Sequence, residues 1–218
     1  MSEDRYAELR QRMVDEQLRT RDIIDPVTLR AMSWVPRERF VQEGDRRRAY
    51  GDHAMGIGSG QTISQPYMVA LMTQSLELTG REKVLEVGTG SGYQAAVLAE
   101  AGCQVYTIER LAELSAQAEG VILELGYENV HFTVGDGTLG WPEEAPFDRI
   151  IVTAGAPEVP PTLLEQLAAP GILVIPIGHE HFQSLLQLKK DESGVVRRRH
   201  VCDCIFVKLI GEQGWRVP

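Results

Sequence analysis

A short apolar run, Val84-Leu85-Glu86-Val87, leads directly into Gly88-Thr89-Gly90-Ser91-Gly92-Tyr93, with three glycines at alternate positions. Few local structures accept that pattern. Glycine has no Cβ and reaches φ > 0, so a buried strand can turn sharply and start a helix whose first N–H groups face a ligand. A tight strand-to-helix turn alone would account for a single Gly-x-Gly pair. The spacing here is Gly-x-Gly-x-Gly rather than the Gly-x-Gly-x-x-Gly of dinucleotide sites, where a pyrophosphate occupies the helix N-terminus. The pattern favours a nucleotide-like cofactor that has no pyrophosphate.

Two further strand ends agree. Val105-Tyr106-Thr107-Ile108 reads as a buried strand ending in Glu109, 21 positions after Gly88 (109 − 88), where a carboxylate can accept from both ribose hydroxyls. Val130-His131-Phe132-Thr133-Val134 reads as a strand closed by Gly135-Asp136-Gly137, and Asp136 could accept from an adenine amino group. Either acid alone could be a solvated strand-end carboxylate; three successive strands ending in ligand-capable residues strengthen the joint reading. A nucleoside site without a pyrophosphate cradle points to S-adenosyl-L-methionine, with S-adenosyl-L-homocysteine as product. Its tail and sulfonium would lie over Gly88, Thr89, Gly90, Ser91 and Gly92, with Glu86 positioned to hold the tail's ammonium.

At 218 residues the chain can bury a full core and is expected to be a single domain, 1–218, with 1–80 as a helical extension and cofactor-covering loop and 81–218 as the core. The net charge of −9 argues against a nucleic-acid partner, which would demand a basic face. Arg46-Arg47-Arg48 and Arg197-Arg198-Arg199 qualify this, and solvated loop charge accounts for both. Cys103, Cys202 and Cys204 are odd in number and lack the spacing of a zinc site, so reduced thiols in a cytoplasmic protein are expected and no metal site. No apolar run approaches the roughly 18 residues of a spanning helix, and the charged start lacks a signal-peptide core. A monomer without membrane attachment is expected.

Tyr6, Leu9, Met13 and Leu18 place one apolar stripe on a helix over 3–19. Asp25-Pro26 opens a second, reaching about Met32. The stretch 49–65, rich in glycine, reads as an irregular loop over the cofactor, followed by a helix from Pro66 to about Leu78. Strands at 84–87, 105–109, 130–134 and 148–153 then alternate with helices at 93–101, 111–125 and 161–168. That order predicts an α/β fold with a mostly parallel, doubly wound sheet. Ile172–Ile177, Ser184–Lys190 and His200–Ile210 follow without a helical pattern between the last two, so the sheet is expected to end in an antiparallel hairpin.

Thr62 and Ser64, close before the helix at Pro66, could be caps or ordinary loop hydrogen-bonding groups. Their context adds a second meaning. Gly60-Gln61-Thr62-Ile63-Ser64-Gln65-Pro66, with Val84 to Tyr93 and Asp148-Arg149-Ile150-Ile151-Val152-Thr153-Ala154-Gly155-Ala156, closely resembles the protein-L-isoaspartate O-methyltransferase family. The likeness runs from Val35-Pro36-Arg37 through Pro170–Gly178 to Gly211.

This resemblance implies a Rossmann-like S-adenosylmethionine-dependent methyltransferase fold. It also implies methyl transfer to the α-carboxyl of L-isoaspartyl residues in damaged proteins and peptides; the ester closes to a succinimide that reopens partly to aspartate. By the same resemblance Ser64 is the catalytic serine that aims the acceptor. Gln61, Thr62 and Ile63 cover the cofactor, and Gly88, Gly90, Glu109, Asp136 and Gly137 cradle it. Thr153, Ala154, Gly155 and Ala156 line the acceptor side. The chain departs from the family at Ala54-Met55-Gly56 and at Lys208, where a proline is common. Such an acceptor site should be indifferent to sequence, though an acidic surface should disfavour strongly acidic peptides. The rivals are methylation of RNA or a small molecule on the same fold, a cofactor-binding protein without catalysis, and, last, a nicotinamide dehydrogenase, for which the glycine spacing is wrong.

Overall fold

The computed structural model describes residues 3–216. Helix α1 (Glu3–Met13) passes into a π turn at Val14–Leu18 and buries Met13, Val14 and Leu18, with Tyr6 and Leu9 packed beside them. The apolar stripe thus meets the core as expected. Helix α2 (Pro26–Trp34) begins where the sequence places it: the Asp25 carboxylate accepts from the Thr28 N–H at 2.7 Å, and Pro26 takes the first turn, where its missing donor costs nothing.

The stretch 49–65 departs from expectation, because at its centre it forms a hairpin. Strand β1 (Met55–Gly58) pairs antiparallel with β2 (Gln61–Ile63) through Ser59 and Gly60, at φ 50° and 69°. Positive φ at both turn residues gives the connection the twist that flanking strands require. Helix α3 (Pro66–Gln74) also ends four residues before the expected Leu78. The Gln74 side chain accepts from the Ile24 and Asp25 N–H groups, and Glu77 stands at φ 53°, which no helix can continue through.

Beyond it, β3 (Lys83–Val87), α4 (Tyr93–Glu100), β4 (Gln104–Glu109), α5 (Ala112–Glu124), β5 (Val130–Val134) and β6 (Phe147–Val152) lie within a residue of their expected bounds. Helix α6 (Pro161–Gln166) stops early because β7 (Leu167–His179) already pairs with β6 at Leu167. A register shift in the β6–β7 pairing accommodates Pro170 and Gly171 before Ile172 resumes pairing with Arg149. Strands β8 (Phe182–Lys190) and β9 (Val196–Cys204) complete the sheet.

The seven strands run in the order β5-β4-β3-β6-β7-β8-β9, parallel from β5 to β7 and antiparallel across β7–β8 and β8–β9. The expected 200–210 strand is therefore shifted, occupying 196–204. The Arg197-Arg198-Arg199 run, expected in a loop, lies exposed on the outermost strand, where charge discourages pairing with another sheet.

Both sheet faces are covered. Val84 and Val105 pack toward the N-terminal helices, α3 and α4, while Leu85, Val87, Ile150 and Val152 pack with Leu163 on the other side. Strand order reverses direction between β3 and β6, and in doubly wound sheets ligands bind at the C-terminal ends of strands beside that point.

Candidate active site

At the end of β3 the chain turns at Gly88, whose φ of 97° keeps its N–H on the Ile108 carbonyl at 2.9 Å. A Cβ there would press on the Thr153 hydroxyl, which donates to the Gly88 carbonyl at 2.6 Å. Gly92, at φ 86°, caps α4 and lies against Ala118 of α5. The glycine spacing thus reflects a loop pressed between three elements.

Glu109 joins this loop to the next. Its two carboxylate oxygens accept from the N–H groups of Gly90 and Leu111, each at 3.0 Å, and it is 7% exposed. A carboxylate has about four lone-pair sites, so acceptor capacity remains toward the cleft that Glu109 lines.

That cleft measures about 830 Å³ with its open mouth. Gln61, Thr62, Ile63 and Ser64 arrive from β2 and the turn after it. Gly88, Thr89, Gly90 and Ser91 come from the glycine loop, Gly137 from the turn after β5, and Thr153 and Ala154 from the end of β6. These groups from distant parts of the chain meet as the sequence led one to expect. A loop with glycine at alternate positions, a half-free carboxylate, and the apolar Val87 and Ile108 suit a nucleoside with a short polar tail.

Four expected residues lie off the cleft wall. Glu86 is fully buried under the glycine loop, where the Thr107 hydroxyl donates to Oε2 at 2.6 Å and itself sits 2.6 Å from the Thr89 hydroxyl; Oε1 has no partner among the described residues. Burial pushes Glu86 up to about 8, and the charge of Glu109 adds to that. Asp136 turns both oxygens to the chain itself: Oδ1 accepts from the Thr138 N–H and hydroxyl, and Oδ2 from the Glu212 N–H at 2.7 Å. It ties the β5 turn to the C-terminal segment, while its neighbour Gly137 faces the cleft.

Gly155 and Ala156 act from behind the wall. Gly155 donates to the Val207 carbonyl at 2.7 Å and accepts from the Leu209 N–H at 2.8 Å and the Trp215 indole at 3.0 Å, and Ala156 pairs with Ile177. Gly155 holds the strip Val207–Ile210, which lines the cleft and which the sequence reading had assigned to the sheet, while Ala156 ties the same turn to β7.

Other contributors carry little sequence signal. Val69, Met72, Val87, Ile108 and Leu209 are apolar residues like those of any core, and Gln94 hydrogen-bonds Thr73 at 2.9 Å. Arg37 is the most informative. It is fully buried and donates from Nε to the Ala49 carbonyl and from Nη2 to the Ser64 carbonyl, each at 2.7 Å; its guanidinium lies 4.8 Å from the centre of the Tyr93 ring. Burial lowers its pKa, and the neighbouring tyrosines oppose that shift.

The Ser64 hydroxyl has no hydrogen-bond partner among the described residues. Of the titratable groups on the wall, the Tyr93 phenol is pushed up to about 12 by burial and the Glu109 oxygens are engaged by N–H groups. Lys208 reaches Glu180 at 2.9 Å and holds that carboxyl below its usual range. Such a site can position an acceptor that is already anionic.

Known proteins resemble the chain over nearly its whole length. Residues 8–214 match the family model described as protein-L-isoaspartate(D-aspartate) O-methyltransferase (PCMT). The chain is 54% identical over 206 residues to the protein-L-isoaspartate O-methyltransferase of Geobacter metallireducens, covering 94% of this chain and 95% of the relative. It is 51% identical over 214 residues to that of Syntrophus aciditrophicus, covering 97% and 98%. A Plasmodium falciparum structure bearing the same family name, solved with S-adenosyl-L-homocysteine, superposes with a TM-score of 0.81 at 28% identity over 92% of this chain and 98% of its own. With the glycine loop, Glu109 and Ser64 around one cleft, and with sequence likeness over nearly its whole length, the chain belongs to the protein-L-isoaspartate(D-aspartate) O-methyltransferase family.

Proposed function

We infer that this cleft carries out the family's reaction, transfer of the methyl group of S-adenosyl-L-methionine to the α-carboxyl of an L-isoaspartyl residue in a damaged protein or peptide. The observation that carries the reading is the meeting of Ser64 and the Gly88–Ser91 loop, separated in sequence, on the walls of one cleft.

When bound, S-adenosyl-L-methionine supplies a methyl group made electrophilic by its sulfonium. Glu109 would receive the ribose hydroxyls, Gly137 would line the side of the base, and the Gly88–Ser91 backbone would meet the tail. Gln61, Thr62 and Ile63 close over it and exclude water. Glu86 acts from beneath the loop through Thr107 and Thr89. On the acceptor side Ser64 would donate to one carboxylate oxygen and so leave the other free to act as the nucleophile. Thr153, Ala154 and the strip held by Gly155 would bound that side, with Ala156 fixing the turn to β7. A carboxylate with a pKa near ~4 is ionised at neutral pH, so orientation is what the acceptor requires.

The chain is proposed to work as a cytoplasmic monomer on proteins and peptides and not on nucleic acid. Its three thiols are free, no helix of the described residues is long and apolar enough to cross a membrane, and its net charge is −9. Labelled methyl groups should enter an isoaspartyl peptide and leave its aspartyl twin unlabelled. Equal labelling of the two would reject the reading.

A further inference from the structure

We propose that Lys208 makes this enzyme favour isoaspartyl sites flanked by acidic side chains. The inference rests on the reaction assigned above and adds a preference within it.

Lys208 pairs through its backbone with Gly155 and lines the cleft on the wall formed by Val207–Ile210. The cleft carries two cations, Lys208 and Arg110, and Arg110 follows directly on Glu109. Lys208 is therefore the cation of the acceptor wall. Its Nζ lies 2.9 Å from Glu180 Oε2 and 5.7 Å from the centre of the Trp215 ring, with 37% of the lysine and 53% of the glutamate side chain exposed. An ammonium carries three donors, so Glu180 leaves capacity for a second carboxylate. An ion pair this exposed is weak and readily exchanged.

The rest of the molecule makes that local charge matter. At a net −9 the protein repels acidic peptides at long range, whereas close contacts are set by the charge at the cleft mouth. Glu180 holds the Lys208 ammonium without burying it. A glutamate or aspartate beside the isoaspartyl residue would compete with Glu180 for that ammonium while the isoaspartyl carboxylate lies at Ser64.

The test uses isoaspartyl peptides bearing Glu, Gln or Lys at both neighbouring positions, with kcat/KM for methyl transfer measured at low ionic strength. The wild-type ratio of Glu-flanked to Lys-flanked peptide is expected at about 3- to 5-fold, the scale of an exposed ion pair. Lys208→Met should bring it to about 1 or below, and Lys208→Glu should invert it. Glu180→Gln, an exposed change that removes the competitor, should raise it by about 2-fold. Added salt near about 0.5 M should erase the preference.

A ratio that Lys208→Met leaves unchanged overturns the proposal, and so does an equal loss on all three peptides, which would assign Lys208 to the acceptor carboxylate itself. A fall in the ratio on Glu180→Gln also overturns it. In each of these cases methylation of the Gln-flanked peptide leaves the assigned reaction standing; no methylation of any peptide overturns both.

Discussion

Ser64 can orient an acceptor because its main chain is gripped from behind. Arg37 joins the carbonyls of Ala49 and Ser64, so the serine is held by a buried cation that is not part of the cleft wall. Hydrogen bonds to charged groups are worth about 1.5–3 kcal/mol, so Ser64→Ala should lower kcat roughly 10- to 100-fold while calorimetry finds cofactor affinity unchanged; an unaltered kcat would remove the assigned role. Glu86 supplies a second test at this scale. The native protein holds its proton up to about pH 8, whereas an unperturbed group releases it near 4.5. Between those values the folded state binds more protons than the unfolded one, so Glu86 makes stability decline as pH rises across that window and level off above it. Glu86→Gln should flatten the decline in urea midpoints measured from about pH 5 to about pH 8, and parallel profiles would contradict the assignment. The strand-end glutamates were legible from their positions. The engagement of Asp136 was not, because its partner Glu212 lies 76 residues away.

Strands β3, β4, β5 and β6 were legible to within a residue, since β3, β4 and β6 each combine a buried apolar run with a clear stop and β5, none of whose residues is buried, shows alternation and β-branching. The β1–β2 hairpin was hidden because its strands are short and its turn uses Ser59 at positive φ, a conformation serine rarely signals. The position of β9 was hidden for a different reason. Cys204 pairs with Gln183, next to the start of β8 at Phe182, so Ile205 and the residues after it have little left to pair with and cross instead to Gly155. A ladder's end is set by its partner strand and not by the local pattern. The resulting strip is fastened by Trp215, whose indole N–H meets the Gly155 carbonyl. Trp215→Phe keeps an aromatic ring while removing the indole's pyrrole half and with it one hydrogen bond worth about 0.5–1.5 kcal/mol. Peptide KM should rise about 2- to 10-fold with cofactor affinity unmoved, as measured by initial rates and calorimetry; a change confined to cofactor binding would show that the strip serves the other side.

Across the whole molecule, the reversal of strand order between β3 and β6 brings six stretches of chain to one cleft: 61–64, the end of β3, the end of β4, the turn after β5, the turn after β6, and 207–210. The alternation of strands and helices announced the first-wound half of the sheet and the cofactor side. The acceptor side was less visible because it depends on a segment that leaves the sheet and folds back beneath Trp215. That return has a consequence for biogenesis. A ribosome delivers the glycine loop, Glu109 and Ser64 well before it delivers Val207–Trp215, and chains fold progressively as they emerge. The wall that bounds the acceptor is therefore completed only after Val207–Trp215 has emerged and returned to Gly155, later than the other walls of the cleft.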